Sequence, residues 1–328
     1  MPKAVVGISG GVDSAVSAAR LLKRGFEVTG LFMDIGGGAE KAESVCRAIG
    51  IPLITADART ELEDLVVGPF IEAYRAGTTP NPCVFCNPVL KYPLLLKAAD
   101  DLGAEYVATG HYAGVAARGG EYFLRQGIAA RDQSYMLYRL PPEALRRCLF
   151  PVGDTPKSEV RAEAAALGLD AADAPDSMEI CFIPDGDYAA FIKGRGRGMP
   201  GGDVTDTEGN ILGRHGGLCG YTVGQRRGLG IAGAERMYVV AIDTGRNRVV
   251  LGREELLYRD VIRLREIIYR GGAGEEVDVK IRHGRVFYRA VVDGDAIRFT
   301  GKPARAPAPG QSAVLYKDGL VLGGGIIC

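Results

Sequence analysis

Near its start the chain reads Ala4-Val5-Val6-Gly7-Ile8-Ser9-Gly10-Gly11-Val12-Asp13-Ser14, and this stretch decides the fold. Ala4 to Ile8 is a short apolar run that predicts a buried parallel strand. Ser9-Gly10-Gly11 predicts a turn that only small residues allow. Asp13-Ser14 then opens an amphipathic helix over Asp13–Lys23, with Val12, Ala15, Val16, Ala19 and Leu22 at helical spacing. Strand, glycine turn and helix start together make an anion site. Backbone N–H groups point outward there, and the helix dipole favours negative charge. The glycines let the backbone close on a phosphate with no Cβ in the way.

Outward from this stretch, strand and helix alternate. Strands are expected at Glu27–Phe32, Pro52–Thr55 and Tyr106–Thr109, and helices at Glu40–Ile49, Glu61–Tyr74 and Val89–Leu102. Helical segments are expected around Pro141–Leu167 as well. Such alternation predicts an α/β fold, a parallel sheet with helices on both faces. Ligands of these sheets bind at the carboxyl ends of the strands. The glycine turn, Met33 and Gly110-His111 all fall there. Past Gly194 the texture changes. A glycine- and arginine-rich breaker cluster runs to Gly202, and short β-like runs follow at Met237–Ile242, Arg248–Leu251, Val277–Arg282, Val286–Val292 and Ser312–Tyr316. They predict two small β-rich domains, the last barrel-like. The expected domains are 1–198, 199–258 and 259–328.

Forty basic and forty acidic residues give zero formal net charge, so a nucleic-acid partner needs a local basic face. From Arg259 onward, twelve Lys/Arg less eight Asp/Glu leave an excess of +4. That excess fits either a nucleic-acid-facing module or an ordinary solvated surface. No secretory start and no membrane-length apolar stretch is seen, so the expected location is the cytoplasm, with no membrane partner. Seven cysteines, an odd number, fit thiols kept for chemistry or metal in a reducing compartment. Cys83 and Cys86 form a C-x-x-C in a predicted loop. No second pair completes a zinc site, and the redox alternative would need a strand before it and a helix after it. Cys181 lies between Ile180 and Phe182, a setting that by itself reads as core. Cys46, Cys148, Cys219 and Cys328 are read as structural.

The turn is not a Walker loop, because no Gly-Lys-Ser/Thr follows, nor does it carry the third glycine of the dinucleotide fingerprint. Ser9–Ser14 resembles the pyrophosphate loop of the ATP pyrophosphatases, which split ATP into AMP and pyrophosphate. Further segments extend the resemblance over essentially the whole chain: Leu31-Phe32-Met33, Asn81-Pro82 with Cys86-Asn87, Thr109-Gly110-His111-Tyr112, Asp132-Gln133-Ser134-Tyr135, Cys181-Phe182-Ile183 and Tyr221–Gly230. Together they resemble the tRNA-specific 2-thiouridylases, with an adenine nucleotide alpha hydrolase-like catalytic domain.

The resemblance implies a tRNA-uridine 2-sulfurtransferase. ATP adenylates the 2-oxygen of the wobble uridine, and sulfur then displaces AMP. Gly7, Ile8, Ser9, Gly10, Gly11, Val12, Asp13 and Ser14 would hold ATP with Mg²⁺, Asp13 placing the metal, and Met33 and Gly110 would contact the adenosine. His111, Arg131, Asp132, Gln133, Arg282, His283 and Gln311 match tRNA-contacting positions, toward the anticodon loop. Cys181 would carry a persulfide and Cys86 would attack it. The sulfur donor would be a cysteine desulfurase, a sulfur-relay protein or free sulfide. This chain departs from the family pattern by placing Cys83 where Asp is usual. A catalytic set of Cys83, Cys86, Cys181 and Asp13 then adds a second route, a [4Fe–4S] cluster held by the three thiols with one iron open. The loop Asp34–Ala39 is also shorter than is usual, and Met178 replaces a commoner Gln. The alternatives are another ATP-pyrophosphatase synthetase or amidotransferase, and a non-catalytic RNA- or nucleotide-binding module.

Overall fold

The computed structural model describes residues 1–127, 131–169, 180–183, 185–231 and 236–328, less the side chain of residue 197. Met178, one departure from the family pattern, lies outside the described residues. These residues form two compact units.

The first unit takes in Met1–Val66, Cys83–Met178 and Asp318–Leu322, less the undescribed positions. Its centre is a five-stranded sheet built from β1 (Lys3–Gly7), β2 (Glu27–Asp34), β3 (Leu53–Asp57), β4 (Tyr106–Ala108) and, beyond the hairpin β5 (Ala113–Arg118) and β6 (Glu121–Gln126), β7 (Cys148–Leu149). The order is β3-β2-β1-β4-β7 and every pairing is parallel. Strand alternation sends Ala4, Val6 and Ile8 to one face. There they pack with Val12, Ala15 and Val16 of α1 (Val12–Lys23), Ala42 and Val45 of α2 (Glu40–Ile49), and Val160 and Ala164 of the helix Lys157–Ala166. The opposite face carries the helix Tyr92–Asp101, whose Leu95 lies against Gly7.

Two helices differ from expectation. Helical backbone begins at Pro82, not near Val89, so Cys83 and Cys86 lie on a helix rather than in a loop. The helix passes through Pro88 because Asn87–Lys91 adopts wide π-type turns, which relieve the clash a proline causes in an α-helix. The expected Glu61–Tyr74 helix starts at Arg59 and also contains a π segment, Glu63–Val67. The β5–β6 hairpin was not foreseen, although Gly119-Gly120 between its strands is a hairpin signal.

The second unit comprises Val67–Pro82, Glu179–Lys317 and Gly323–Cys328, less undescribed positions. One sheet joins β8 (Gly202–Thr205), β9 (Ile211–His215), β10 (Tyr238–Asp243) and β11 (Arg248–Gly252) in the order β10-β11-β8-β9 around Val204, Val239, Val249 and Leu251. A two-stranded ribbon pairs β12 (Tyr258–Arg259) with a short strand at Ala304–Arg305. The C-terminal strands Val261–Tyr269, Ala296–Phe299, Tyr288–Asp293, Glu276–Lys280, Ser312–Lys317 and Leu320–Ile327 follow one another in space, and the first pairs with the last. This closes a six-stranded barrel and removes its edges. The expected barrel-like last domain is therefore present. No helix among the described residues is long and apolar enough to cross a membrane.

Arg20 clamps the first unit. Its guanidinium pairs with both oxygens of Glu163, and it also donates to Pro151 O (2.8 Å) and Thr155 Oγ1 (2.7 Å). These bonds tie α1 to the helix Lys157–Ala166 and to the segment before it. Arg20→Met should cost about 1–3 kcal/mol by leaving these acceptors without a donor. Urea denaturation measures this, and an unchanged midpoint would contradict the clamp.

Candidate functional site

Gly11 is the N-cap of α1 and has no side chain to occupy the first-turn N–H groups. The turn before it is held by its own hydroxyls. Ser14 Oγ donates to Gly11 O (2.9 Å), Ser9 N donates to Ser14 Oγ (3.3 Å), and Gly11 N donates to Ser9 Oγ (3.3 Å). Gly10 sits at φ +80°, and a Cβ there would lie 2.5 Å from Lys41 Cβ on α2. Gly110, just past β4, is equally constrained. A Cβ would lie 2.6 Å from Asp13 C and 2.7 Å from Ser14 N. The end of β4 thus presses on the start of α1. The result is a backbone cradle at the carboxyl ends of the central strands, of the helix-start kind that binds phosphate. Met33 lies near the end of β2, half-buried.

Asp13 has two partners that sequence reading missed. Lys157 Nζ lies 2.6 Å and 2.7 Å from its carboxylate oxygens, and the Tyr112 hydroxyl donates to Oδ1 at 2.6 Å. Tyr112 is pinned in turn by Gln133. Tyr112 N donates to Gln133 Oε1 (2.9 Å), and Gln133 N donates to Tyr112 O (2.8 Å). Asp132 organises the same turn, accepting from Ser134 N, Ser134 Oγ, Gly127 N and Gln126 Nε2 at 3.0–3.3 Å. Both residues therefore hold the backbone beside the loop. Arg131 next to them is exposed. Tyr112 adjoins His111 in a quoted motif, but nothing local in the sequence marks Lys157.

His111 bonds Thr109 Oγ1 through Nδ1 (2.8 Å), and Thr109 Oγ1 also meets the Tyr92 hydroxyl (3.2 Å). Burial, with a smaller contribution from the Lys91 charge, pushes the imidazole well below its ordinary value. His111 is therefore neutral at neutral pH and offers a hydrogen bond rather than a cation. Gln311 Nε2 donates to Thr79 O (2.8 Å), bracing the segment that leads in sequence to Cys83. Arg282 and His283 lie on an exposed turn, and Arg282 also donates to Arg305 O (2.9 Å).

Cys83 and Cys86 stand one helical turn apart, both half-buried. Burial pushes the Cys83 thiol up, opposed in part by Lys91. Asn87, buried to 1 % exposure, donates through Nδ2 to Met136 O (2.8 Å) and fixes this helix to the segment after Gln133. Cys181, which its flanks alone mark as core, is exposed in a turn. Its neighbours anchor the turn: Ile183 is buried and Phe182 packs edge-on against Phe70. Cys46 and Cys148 are buried, which pushes their thiols up to about 11 and about 12, as befits structural residues. A [4Fe–4S] cluster needs three ligands at one point. No group of three or more His, Cys, Asp or Glu able to hold a metal occurs among the described residues. Thiols are the right donors for such a cluster.

Two outcomes are expected. Gly110→Ala should push the backbone of Asp13 and Ser14 aside and lower ATP affinity about tenfold or more, read by nucleotide titration; unchanged affinity would contradict the crowding. The second concerns pH. The His111 pKa is depressed on folding from about 6.5, so the unfolded chain binds more protons between the folded value and about 6.5. Stability should fall as pH drops below about 6.5, and His111→Gln should flatten that slope in denaturation midpoints. Equal slopes would contradict the burial of a neutral imidazole.

Residues 2–185 match the family model described as the tRNA methyl transferase HUP domain. Residues 189–253 match the tRNA methyl transferase PRC-barrel domain, and 260–327 the aminomethyltransferase beta-barrel domain. The chain is 38% identical to the tRNA-specific 2-thiouridylase MnmA of Clostridium acetobutylicum over 99% of both chains. It is 42% identical to the protein of that name from Syntrophotalea carbinolica, over 98% of this chain and 97% of the relative. A solved 4-thiouridine synthetase–RNA complex with bound ATP aligns over 53% of this chain and 43% of that one, at 18% identity and a TM-score of 0.38. The chain belongs to the tRNA-specific 2-thiouridylase family.

Proposed function

We propose that the protein is an ATP-dependent tRNA-uridine 2-sulfurtransferase acting on the wobble uridine. The observation that carries this reading is the backbone cradle at Ser9–Ser14, with Asp13 at its mouth, in the same unit as the helix-borne Cys86. The uridine 2-oxygen is a poor leaving group. Its attack on the α-phosphate of ATP releases pyrophosphate and leaves AMP on the oxygen. Gly7 to Ser14 hold the phosphates, and Met33 and Gly110 flank the adenosine. Ser9 and Ser14 would bond phosphate oxygens, and Asp13 would help hold Mg²⁺, which when bound neutralises phosphate charge. Arg131, Arg282 and His283 are exposed, as contact with tRNA requires. Asp132, Gln133 and Gln311 act on tRNA through the segments they brace, and neutral His111 through a hydrogen bond.

Sulfur then replaces the activated oxygen. Cys181 carries it as a persulfide supplied by a cysteine desulfurase, a relay protein or free sulfide with an oxidant. The terminal sulfur attacks C2, and AMP leaves with the former uridine oxygen. The Cys86 thiolate attacks the Cys181 sulfur, breaking the S–S bond. This yields 2-thiouridine and a Cys86–Cys181 disulfide, which an external thiol reduces. The C-x-x-C spacing favours a second reading, in which Cys83, Cys86 and Cys181 ligate a [4Fe–4S] cluster.

The test is the anaerobic protein with unmodified tRNA, ATP, Mg²⁺ and a sulfur donor, followed by digestion and mass spectrometry for 2-thiouridine. The proposal expects ATP-dependent 2-thiouridine. Cys86→Ser and Cys181→Ser should each lower it more than about 100-fold while pyrophosphate release continues. Cys83→Ser should keep activity within about threefold on the persulfide route. Loss with Cys83→Ser, together with bound iron and sulfide, would establish the cluster instead. A synthetase would tolerate all three substitutions, and a binding module would bind tRNA with no pyrophosphate released.

A further inference from the structure

His111 follows Gly110 at the carboxyl end of β4, half-buried, with its ring over Tyr92 at 6.4 Å and edge-on to Phe150 at 6.5 Å. Its Nδ1 meets Thr109 Oγ1 at 2.8 Å, and Thr109 Oγ1 meets the Tyr92 hydroxyl at 3.2 Å. Both hydroxyl residues are buried, Tyr92 to 1% exposure and Thr109 to 5%. Among the described residues neither hydroxyl has another partner. Counting protons over these three atoms leaves one arrangement. A proton on Nδ1 would be donated to Thr109 Oγ1. Either the Thr109 or the Tyr92 hydroxyl would then be a buried donor without an acceptor. With Nδ1 bare, Tyr92 donates to Thr109, Thr109 donates to Nδ1, and every proton has an acceptor. The ring proton then sits on Nε2. Burial, which keeps the ring neutral, agrees with a bare Nδ1. Nε2 itself has no partner among the described residues and is not one of their buried unpartnered atoms, so it reaches solvent.

We propose that Thr109 is a positioning residue that locks His111 as the Nε2–H tautomer, a fixed donor for the O4 carbonyl of the target uridine. The inference rests on the sulfurtransferase reading. The uridine 2-oxygen must stay free to attack ATP, which leaves O4 for a donor. Cytosine carries an amino group at C4, so a locked N–H would face a second N–H there and reject it. The other tautomer would accept from that amino group and lose the selection.

Two measurements on the full-length protein test this. Long-range ¹H–¹⁵N correlation of ¹⁵N-histidine protein at neutral pH reads the tautomer, because bare and protonated ring nitrogens resonate far apart. The chain has three histidines. His215 supplies a reference, since its Nδ1 accepts from Gly217 N (3.1 Å) and its Nε2 faces Asn247 O (3.1 Å), which fixes the same tautomer. His111→Gln identifies the His111 signals. They should show a bare Nδ1 and a protonated Nε2, kept in Thr109→Ser and joined by an Nδ1–H population in Thr109→Val. A protonated Nδ1 in the unaltered protein would overturn the lock. The second measurement is affinity for tRNA with uridine or cytidine at the wobble position. The unaltered protein should prefer uridine about tenfold or more, and Thr109→Val should cut that ratio about threefold or more while Thr109→Ser keeps it. A ratio near one, or one that Thr109→Val leaves unchanged, would overturn the contact. Should Thr109→Val fail to fold, Thr109→Ala gives the same comparison. Failure of the unaltered protein to form 2-thiouridine would remove the sulfurtransferase reading and the uridine contact with it, and the tautomer signals distinguish that outcome from a failed lock.

Discussion

A glycine at position 110 sets how close the end of β4 comes to the start of α1. With a Cβ position only 2.6–2.8 Å from Asp13 and Ser14 atoms, no other residue fits without moving backbone. That contact aims the first turn of α1 across the strand ends. Gly10, crowded in the same way against α2, brings a second helix start to the loop. The cradle is thus made by close packing of backbone, and the side chains around it serve to hold that packing. Ser9 and Ser14 spend their hydroxyls on the turn, and the clamp at Arg20 brings a distant helix alongside.

Charge at the site is arranged by pairing and burial. Forty acidic and forty basic residues leave no global field, so each local charge must be set by its neighbours. Asp13 is balanced by Lys157 and oriented by Tyr112. His111 is kept neutral by burial beside a cation. In the barrel, Arg263, Arg265, Arg289 and Arg298 face carboxylates, and Lys280 is buried near the Phe287 and Tyr316 rings. These pairs cancel equal charge and leave the local +4 excess in place, and Arg282 is exposed on a turn that also carries His283 and Arg285. A continuous chain of bonds runs from the Asp132-Gln133 turn through Tyr112 to Asp13. The segment matched to tRNA contact is therefore mechanically joined to the loop matched to ATP.

Legibility followed the range of the interactions. The β1–turn–α1 unit was readable because an apolar run, three small residues and a helical stripe lie next to one another. The closing barrel was readable in kind, from short runs and frequent turns, but strands such as Val261–Tyr269 and Leu320–Ile327 are set by pairing with each other and were not picked out. The helix bearing Cys83 and Cys86 was hidden by Pro88, a residue that ordinarily ends an α-helix. Here wide turns absorb it. Lys157 had no local signal at all, since its role comes from a contact across 144 residues.

The thiols show how environment divides one residue type among roles. Cys46 and Cys148 lie in apolar packing, where forming a thiolate means placing a charge without water, and burial raises both. Cys181 is exposed instead, on a turn that the aromatic Phe182 and buried Ile183 fasten. Exposure on an anchored turn is what the proposed carrier role requires. Cys83 stands between these cases. Burial raises it and Lys91 opposes that shift. Burial thus sets the half-buried Cys83 apart from the exposed Cys181, two thiols of one chain in unlike surroundings.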